Sequence, residues 1–399
     1  MAALAGTAVA AEVQIQASFA PSALDPTRNE FTNDTPNGGL CVRPNLCGPG
    51  EKSVLLPITV RYAEMRPFAG ADHEARISVP STWRRVVLTH ADSGRTAETE
   101  WRVSFLGATY YLTRDARETT GNDNVSQAHH QLWQGNGWSE PPPGCGRMNY
   151  AEAGGTSWRF GWRYPEAATT CVKRPRHLID DGMQLREVSL GYTMRSPNPL
   201  AMEAGIYTGQ LQLRVGPGGD FDFGTNTVAS DNELIVHFTL TVTHAFQVTF
   251  PQAGPKVSLA PAGGWSQWTR HGTPPARLQQ ELPFLLTTSN EFSVKMRCQH
   301  DSGGRCGIAN ASTGAVVPID VDVTMPGMRD MRSGAFAQNT PLVSERSGQV
   351  APRFTPQSYL QNRQARLRFA ANGPAMTEML KAPASRWQGD VTVVFDSEP

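Results

Sequence analysis

The last thirteen residues, Trp387-Gln-Gly-Asp-Val-Thr-Val-Val-Phe-Asp-Ser-Glu-Pro399, read as a β-strand with Val391, Val393 and Phe395 on one face. The same two-residue period recurs along the chain. Val54–Tyr62, Trp101–Phe105, Gly209–Val215 and Leu234–Val242 place apolar residues at alternate positions, and so do Phe246–Phe250, Phe292–Met296, Val317–Val323 and Ala365–Phe369. Gly, Pro, Asn and Asp fill the intervals, as in Gly216-Pro-Gly-Gly-Asp220 and Ser196-Pro-Asn-Pro199. Helical periodicity is scarce. Short strands punctuated by turn residues predict an all-β chain made of sandwiches. A sandwich normally continues past a strand such as Trp387–Phe395, so that its last edge is paired. Here the expectation is an open apolar groove flanked by Val391, Val393 and Phe395.

A chain of 399 residues is long enough for two or three cores. Leu234–Val242 ends one run of strands and Phe246 opens another after Thr243-His244-Ala245, so the boundary falls there. The expected domains are residues 12–243 and 245–399. The first is long for a sandwich. Its excess lies around Arg114–Pro175, read as long loops, and loops on a rigid scaffold are where binding sites usually sit.

Lys plus Arg and Asp plus Glu are equal, at 36 each. Phosphate binding needs a basic stripe, and Arg84-Arg85 and Lys173-Arg174-Pro175-Arg176 are short clusters read as solvated surface, so nucleic acid is not expected as a partner. No apolar run of about 18 residues is present to form a transmembrane helix. Residues 1–11, Met1-Ala-Ala-Leu-Ala-Gly-Thr-Ala-Val-Ala-Ala11, read as the end of a signal peptide, with Ala8-Val9-Ala10 as a cleavage-type site.

Six cysteines in an exported chain point to disulfides. Proximity pairs Cys41 with Cys47, Cys145 with Cys171, and Cys298 with Cys306. Zinc is the competing reading, but no pair has the short ligand spacing and no metal is expected. No cofactor motif is present.

The order of landmarks resembles one family. A Cys-x₅-Cys loop, Cys41 to Cys47, is followed by the Val54–Tyr62 strand. A second cysteine pair precedes Val188-Ser-Leu-Gly-Tyr192. Then come Gly205-Ile-Tyr-Thr-Gly-Gln-Leu-Gln-Leu-Arg-Val215, the Leu240-Thr-Val-Thr243 to Phe246-Gln-Val-Thr-Phe-Pro251 crossing, and the Trp387–Phe395 ending. The set is similar to the tip adhesins of alternate-class chaperone–usher pili, those of enterotoxigenic colonization-factor fimbriae and of cable pili. The resemblance implies two immunoglobulin-like β-sandwich domains in tandem, an adhesin domain and a pilin domain that lacks its last strand. It implies a major shaft pilin supplying that strand, a periplasmic chaperone, an outer-membrane usher, and a host glycan or surface receptor. It also implies export through the periplasm and display at the pilus tip. In enterotoxigenic members adjacent arginines follow the glycine–aromatic strand and another precedes the first cysteine. The matching stretches here are Gly216-Pro-Gly-Gly219 and Pro36-Asn-Gly-Gly-Leu40, which leaves Arg43 as the nearby cation and a candidate receptor contact.

Trp133 and Trp138 join Arg43 as receptor-binding candidates, because they sit beside Gln134-Gly-Asn-Gly137 and aromatic rings stack on sugars. Trp101, Trp158 and Trp162 lie in strand-like stretches and are expected in the core. His129-His130 reads as a surface-loop pair rather than a metal site, and Asp320 and Asp322 as the solvent face of a half-buried strand. His300-Asp-Ser-Gly-Gly304 contains the Asp-Ser-Gly-Gly of a serine nucleophile, but it lies between Cys298 and Cys306 and consists of ordinary turn residues. No enzyme is expected.

Three functions follow: a tip subunit that adheres, a non-adhesive structural minor pilin, or a secreted β-sandwich hydrolase. The segment Glu12-Val-Gln-Ile-Gln-Ala-Ser-Phe19 also alternates. Packed into its own domain it fits the first reading, and as a free arm it fits the second.

Overall fold

The computed structural model describes residues 10–397. Residues 1–9 of the expected signal peptide, and the last two residues, lie outside that range. Strands are the dominant regular structure of the chain. It divides into two compact units. The first comprises residues up to Phe19, Glu30–Pro197 and Ala204–Val242, and the second comprises Ala20–Asn29, Asn198–Glu203 and everything from Thr243 onward. Two short segments of the expected first domain, 20–29 and 198–203, therefore group with the second unit.

In the first unit the Ala11–Phe19 strand runs parallel to Glu233–Val242, from Ala11 opposite Leu234 to Phe19 opposite Val242. Its odd-numbered residues are all buried, Ile15 at 1% exposure. The segment is a core strand. Glu233–Val242 continues into Gly205–Arg214, which meets Arg84–His90 only through Tyr207–His90 and Thr208–Thr89. There the sheet folds over. A Cβ on Gly209 would lie 2.4 Å from the Val87 carbonyl oxygen, so only glycine lets the two strands approach this closely. Beyond the fold, Arg84–His90, Thr96–Leu112 and Met183–Arg195 pair in order. Thr96–Leu112 is 17 residues long, and its far half also pairs with Ser157–Arg163, which in turn pairs with Gly146–Ala153.

The expected Val54–Tyr62 strand is two strands, Lys52–Leu55 and Val60–Tyr62, because Pro57 cannot donate to the ladder. The excess around Arg114–Pro175 is not only loop. It contains the helices Ala116–Thr120 and Val125–Gln131, capped by the side chains of Asp115 and Asn124.

In the second unit one sheet runs Phe246–Thr249, Arg277–Thr288, Leu360–Asn372, Asp320–Thr324, Thr340–Pro341. Another holds Met328–Asp330, Arg353–Pro356, Phe292–Cys298 and Val343–Ser344, with Val391–Asp396 on the other side of Phe292–Cys298. Phe284, Leu286 and Leu367 from the first sheet and Val294, Met296 and Phe354 from the second bury a common core. The expected single strand at the C-terminus is again two. Trp387–Gln388 pairs with Arg305–Asn310, and Val391–Asp396 pairs with Phe292–Cys298. Asp322 is buried rather than on a solvent face, because Arg368 covers it at 2.7 Å.

Candidate functional site

In the second unit two edge strands flank one strip of core. Phe246–Thr249 pairs with Arg277–Thr288 alone among the described strands, and Val391–Asp396 pairs with Phe292–Cys298 alone. The chain after Phe250 rejoins the first edge at Ala260, opposite Gln279. Along this edge Phe246, Val248, Phe250, Val257 and Leu259 are half-buried against the core, and along the other so are Val391, Val393 and Phe395. Two rings are touched from both sides. Phe292 lies 5.0 Å from Phe246 and 6.2 Å from Phe395, and Phe284 lies 5.4 Å from Phe250 and 5.5 Å from Phe395. Among the described residues, apolar side chains thus line a seam between two strands, each of which pairs with a neighbouring strand on one side only. Such an edge is a template for another strand.

The first unit carries a polar cleft of about 420 Å³, within the usual size range of small-ligand sites. Ser78–Thr82, Arg84, Ala168–Thr170, Arg214 and Gly218–Asp220 line it. Its turn is held by Asp220, whose carboxylate accepts from the Arg84 guanidinium and the Arg214 backbone N–H, both at 2.9 Å. Arg214 Nη2 donates to the Gly218 carbonyl at 3.1 Å. A Cβ on Gly219 would lie 2.7 Å from the Arg214 carbonyl oxygen, so the glycine run is what brings the turn back onto its own strand. The Ser78 and Thr170 hydroxyls share a 2.7 Å hydrogen bond on the facing wall. Sequence reasoning found the glycine turn but not the cleft. Arg84 and Asp220 are 136 residues apart and no local pattern joins them.

The tryptophan candidates are corrected. Trp133 and Trp138 are both 0% exposed. The Gly135–Asn136 tip is exposed, but the rings on either side of it turn inward. Trp138 stacks on Trp162 at 4.8 Å, and Trp133 donates its indole N–H to the Tyr110 hydroxyl at 3.3 Å. They fill the layer between the inserted segment and the Ser157–Arg163 strand, so neither can meet a receptor in this conformation. Trp101, Trp158 and Trp162 are core residues.

Lys173 is also not solvated surface. It is 3% exposed, and its ammonium donates to the carbonyls of Gly137 at 3.0 Å and Asn136 at 3.2 Å. His129 and His130 lie on a helix, with His129 fully buried. Arg43 is half-exposed, but Glu152 neutralises it at 2.5 Å and its guanidinium lies 4.9 Å from the Tyr150 ring. Burial pushes the Tyr150 hydroxyl up to about 12.

Disulfides join Cys41 to Cys47, Cys145 to Cys171, and Cys298 to Cys306. The Asp301 carboxylate accepts from the Gly304 N–H at 3.1 Å, so His300–Gly304 is a hydrogen-bonded turn. Among the described residues Ser302 makes no side-chain hydrogen bond to a histidine.

No family model and no curated protein matches the sequence. Among solved structures the chain is similar to CfaE, the adhesive subunit of the CFA/I fimbria of enterotoxigenic Escherichia coli, at 10% identity over 98% of this chain and 94% of that one, with a TM-score of 0.27. It is likewise similar to a chain of the CsuC–CsuE chaperone–tip subunit pre-assembly complex of Acinetobacter baumannii Csu pili, at 9% identity over 98% of this chain and 99% of that one, with a TM-score of 0.21.

Proposed function

We propose that this chain is the tip subunit of a chaperone–usher pilus, with an adhesin domain before Thr243 and a pilin domain after it. The single observation that carries this reading is the seam. Among the described residues, two strands that each pair on one side only, over shared Phe284 and Phe292 rings, are what a sandwich short of one strand presents. A strand inserting four or five alternate apolar side chains there would gain roughly 1.5–3 kcal/mol from each before ordering costs. That sum rivals the whole stability of a domain, about 5–15 kcal/mol. The strand donor is a shaft pilin, preceded by a periplasmic chaperone during passage to an outer-membrane usher. The subunit is exported through the periplasm and displayed at the cell surface. The packing of Ala11–Phe19 inside its own unit supports a tip position, because a shaft position needs a free N-terminal arm.

Adhesion belongs to the first unit, and the cleft around Arg84, Arg214 and Gly218 is its receptor site, with Arg43 a second candidate. The cleft is rich in hydroxyls and backbone polar groups, which suits a glycan.

The test is strand addition. Fusing an alternating apolar strand after Pro399 through a short turn should raise the melting temperature by many degrees and suppress aggregation. An unfused chain that is already a stable monomer, and gains nothing from the strand, would exclude the pilin reading. Glycan arrays probed with Arg84→Ala, Arg214→Ala and Arg43→Ala variants of the fused chain test the receptor assignment separately.

A further inference from the structure

Neither the seam nor the cleft uses the two adjacent histidines of the Val125–Gln131 helix. His129 is fully buried, with Nδ1 2.7 Å from the Tyr110 hydroxyl and Nε2 2.8 Å from the Gly154 carbonyl. A carbonyl only accepts, so these partners assign the ring proton to Nε2. Nδ1 then accepts the Tyr110 O–H, and the Tyr110 oxygen accepts the Trp133 indole N–H at 3.3 Å. The chain closes only around a neutral imidazole. A proton on Nδ1 would turn that nitrogen from acceptor to donor, so the Tyr110 O–H would lose its acceptor while its oxygen faced a second N–H beside that of Trp133.

His130 repeats the arrangement. Its Nδ1 accepts from the Gly137 N–H at 3.1 Å, and its ring stands edge-on to Trp158 at 5.4 Å. The groups that face the pair act in both directions, and burial outweighs those that favour a charge. Lys173, across from His130, is a buried cation, and the two imidazoles repel one another when protonated. Tyr110 stays neutral, because burial raises its hydroxyl. The carboxylate that acts on His129 is Asp115, and it is committed to Arg117 at 2.9 Å. Burial holds both imidazoles below the ordinary histidine value.

Neither helix belongs to a sheet. Ala116–Thr120 and Val125–Gln131 are 5 and 7 residues long, too short to stand without packing. Immediately after them the backbone is pinned. Gln134 N–H donates to the Arg174 carbonyl, and Arg176 N–H to the Leu132 carbonyl. The hinge therefore falls at residue 132.

We propose that this helix pair is an acid-released latch over Tyr110 and Trp158, docked while both histidines are neutral and detached, with the sheets still folded, once they take up protons. A released histidine has an ordinary value of about 6.5. The docked value is lower, so the latch is undisturbed above that pH and loses its hold as pH falls through the docked values. This inference does not rest on the pilus reading.

The test is hydrogen exchange of the full chain, normalised for intrinsic rate, between about pH 7.5 and about pH 4.5, read beside acrylamide quenching of tryptophan. Peptides covering residues 116–131 should lose protection at acid pH while those of Thr96–Leu112 and Glu233–Val242 keep theirs, and quenching should rise together with that loss. A His129→Gln, His130→Gln double variant should stay docked. Retention of 116–131 protection until the strands also lose theirs would overturn the proposal. So would release at the wild-type pH by a double variant that has the wild-type exchange pattern at neutral pH. If the double variant does not fold, the exchange pattern of the wild type decides alone.

Discussion

The ring of Phe395 stands 5.5 Å from that of Phe284, with the planes at 63°. The two residues belong to opposite sheets of the second unit, so this contact ties the last strand to the far layer of the sandwich. Phe395→Ala removes it, and with it the largest of the three apolar side chains on that rim of the seam. Phe395 is only half-buried in the isolated chain, so the loss there should be about 2 kcal/mol, below the usual value for a core phenylalanine. With a donor strand fused into the seam, the same substitution should cost more, because the ring is then covered on both sides. Urea unfolding of the two forms measures the difference. An equal loss in both would mean that the strand does not lie over Phe395.

Leu40 is seated against bare backbone. A Cβ on Gly107 would lie 2.4 Å from Leu40 Cδ1 and 2.9 Å from the Phe160 carbonyl oxygen, and one on Gly161 would lie 2.8 Å from Leu40 Cδ1 and from Met148 Sδ. The Cys41–Cys47 loop is anchored through this plug. Gly161→Ala meets only the ends of flexible side chains and should cost about 1 kcal/mol, whereas Gly107→Ala meets backbone and should cost about 3. Leu40→Ala should relieve each in part, leaving the flexible Met148 contact in the first and the rigid Phe160 carbonyl in the second, so a double-mutant cycle on thermal stability should leave the larger residual cost at Gly107.

The strands were legible where one face is wet and the other dry. Leu234–Val242 and Gly209–Val215 alternate because each has one face on the core; the observed Glu233–Val242 follows within a residue, and the observed Gly205–Arg214 starts four residues earlier. The same pattern put Val391, Val393 and Phe395 on one face, and all three are half-buried against the core. Trp133, Trp138, His129 and Lys173 could not be placed. Trp133 and Trp138 flank Gln134-Gly-Asn-Gly137, His129 sits beside a second histidine and Lys173 beside Arg174, and the burial of all four is imposed by segments distant in sequence. Lys173 reads as surface in any local window, because a buried ammonium is tolerated only where carbonyls such as those of Asn136 and Gly137 converge on it. The cleft was invisible for the same reason, since Arg84 and Asp220 meet only after the sheet has folded over.

Cys145–Cys171 spans 26 residues and closes the inserted segment onto the strand that carries Lys173. In the chain-entropy model a loop of this length contributes about 3–4 kcal/mol. A Cys145→Ser, Cys171→Ser double variant should lose about that amount from the first unit and leave the seam of the second unaffected. Separate melting transitions in calorimetry, with only one displaced, would meet this expectation. Displacement of both would show that the inserted segment supports more than its own unit.

Lys173 gives the first unit an alkaline signature. Burial pushes its ammonium down to about 8, against an ordinary lysine value near 10.4 in the unfolded chain. Between those values the unfolded chain holds the proton and the folded chain does not, so stability from this group rises with pH through that window. The carbonyls of Asn136 and Gly137 oppose the effect by favouring the charged form. Lys173→Met removes the titration altogether, together with the hydrogen bonds that shape the 135–137 turn. The variant should therefore be less stable than wild type if the carbonyl contacts dominate at neutral pH, and its stability should change less between about pH 8 and about pH 10 than that of the wild type. Urea midpoints at the two pH values decide. A parallel pH response in both proteins would mean that Lys173 titrates in the fold as it does in water, and that its burial is relieved by its carbonyl partners alone.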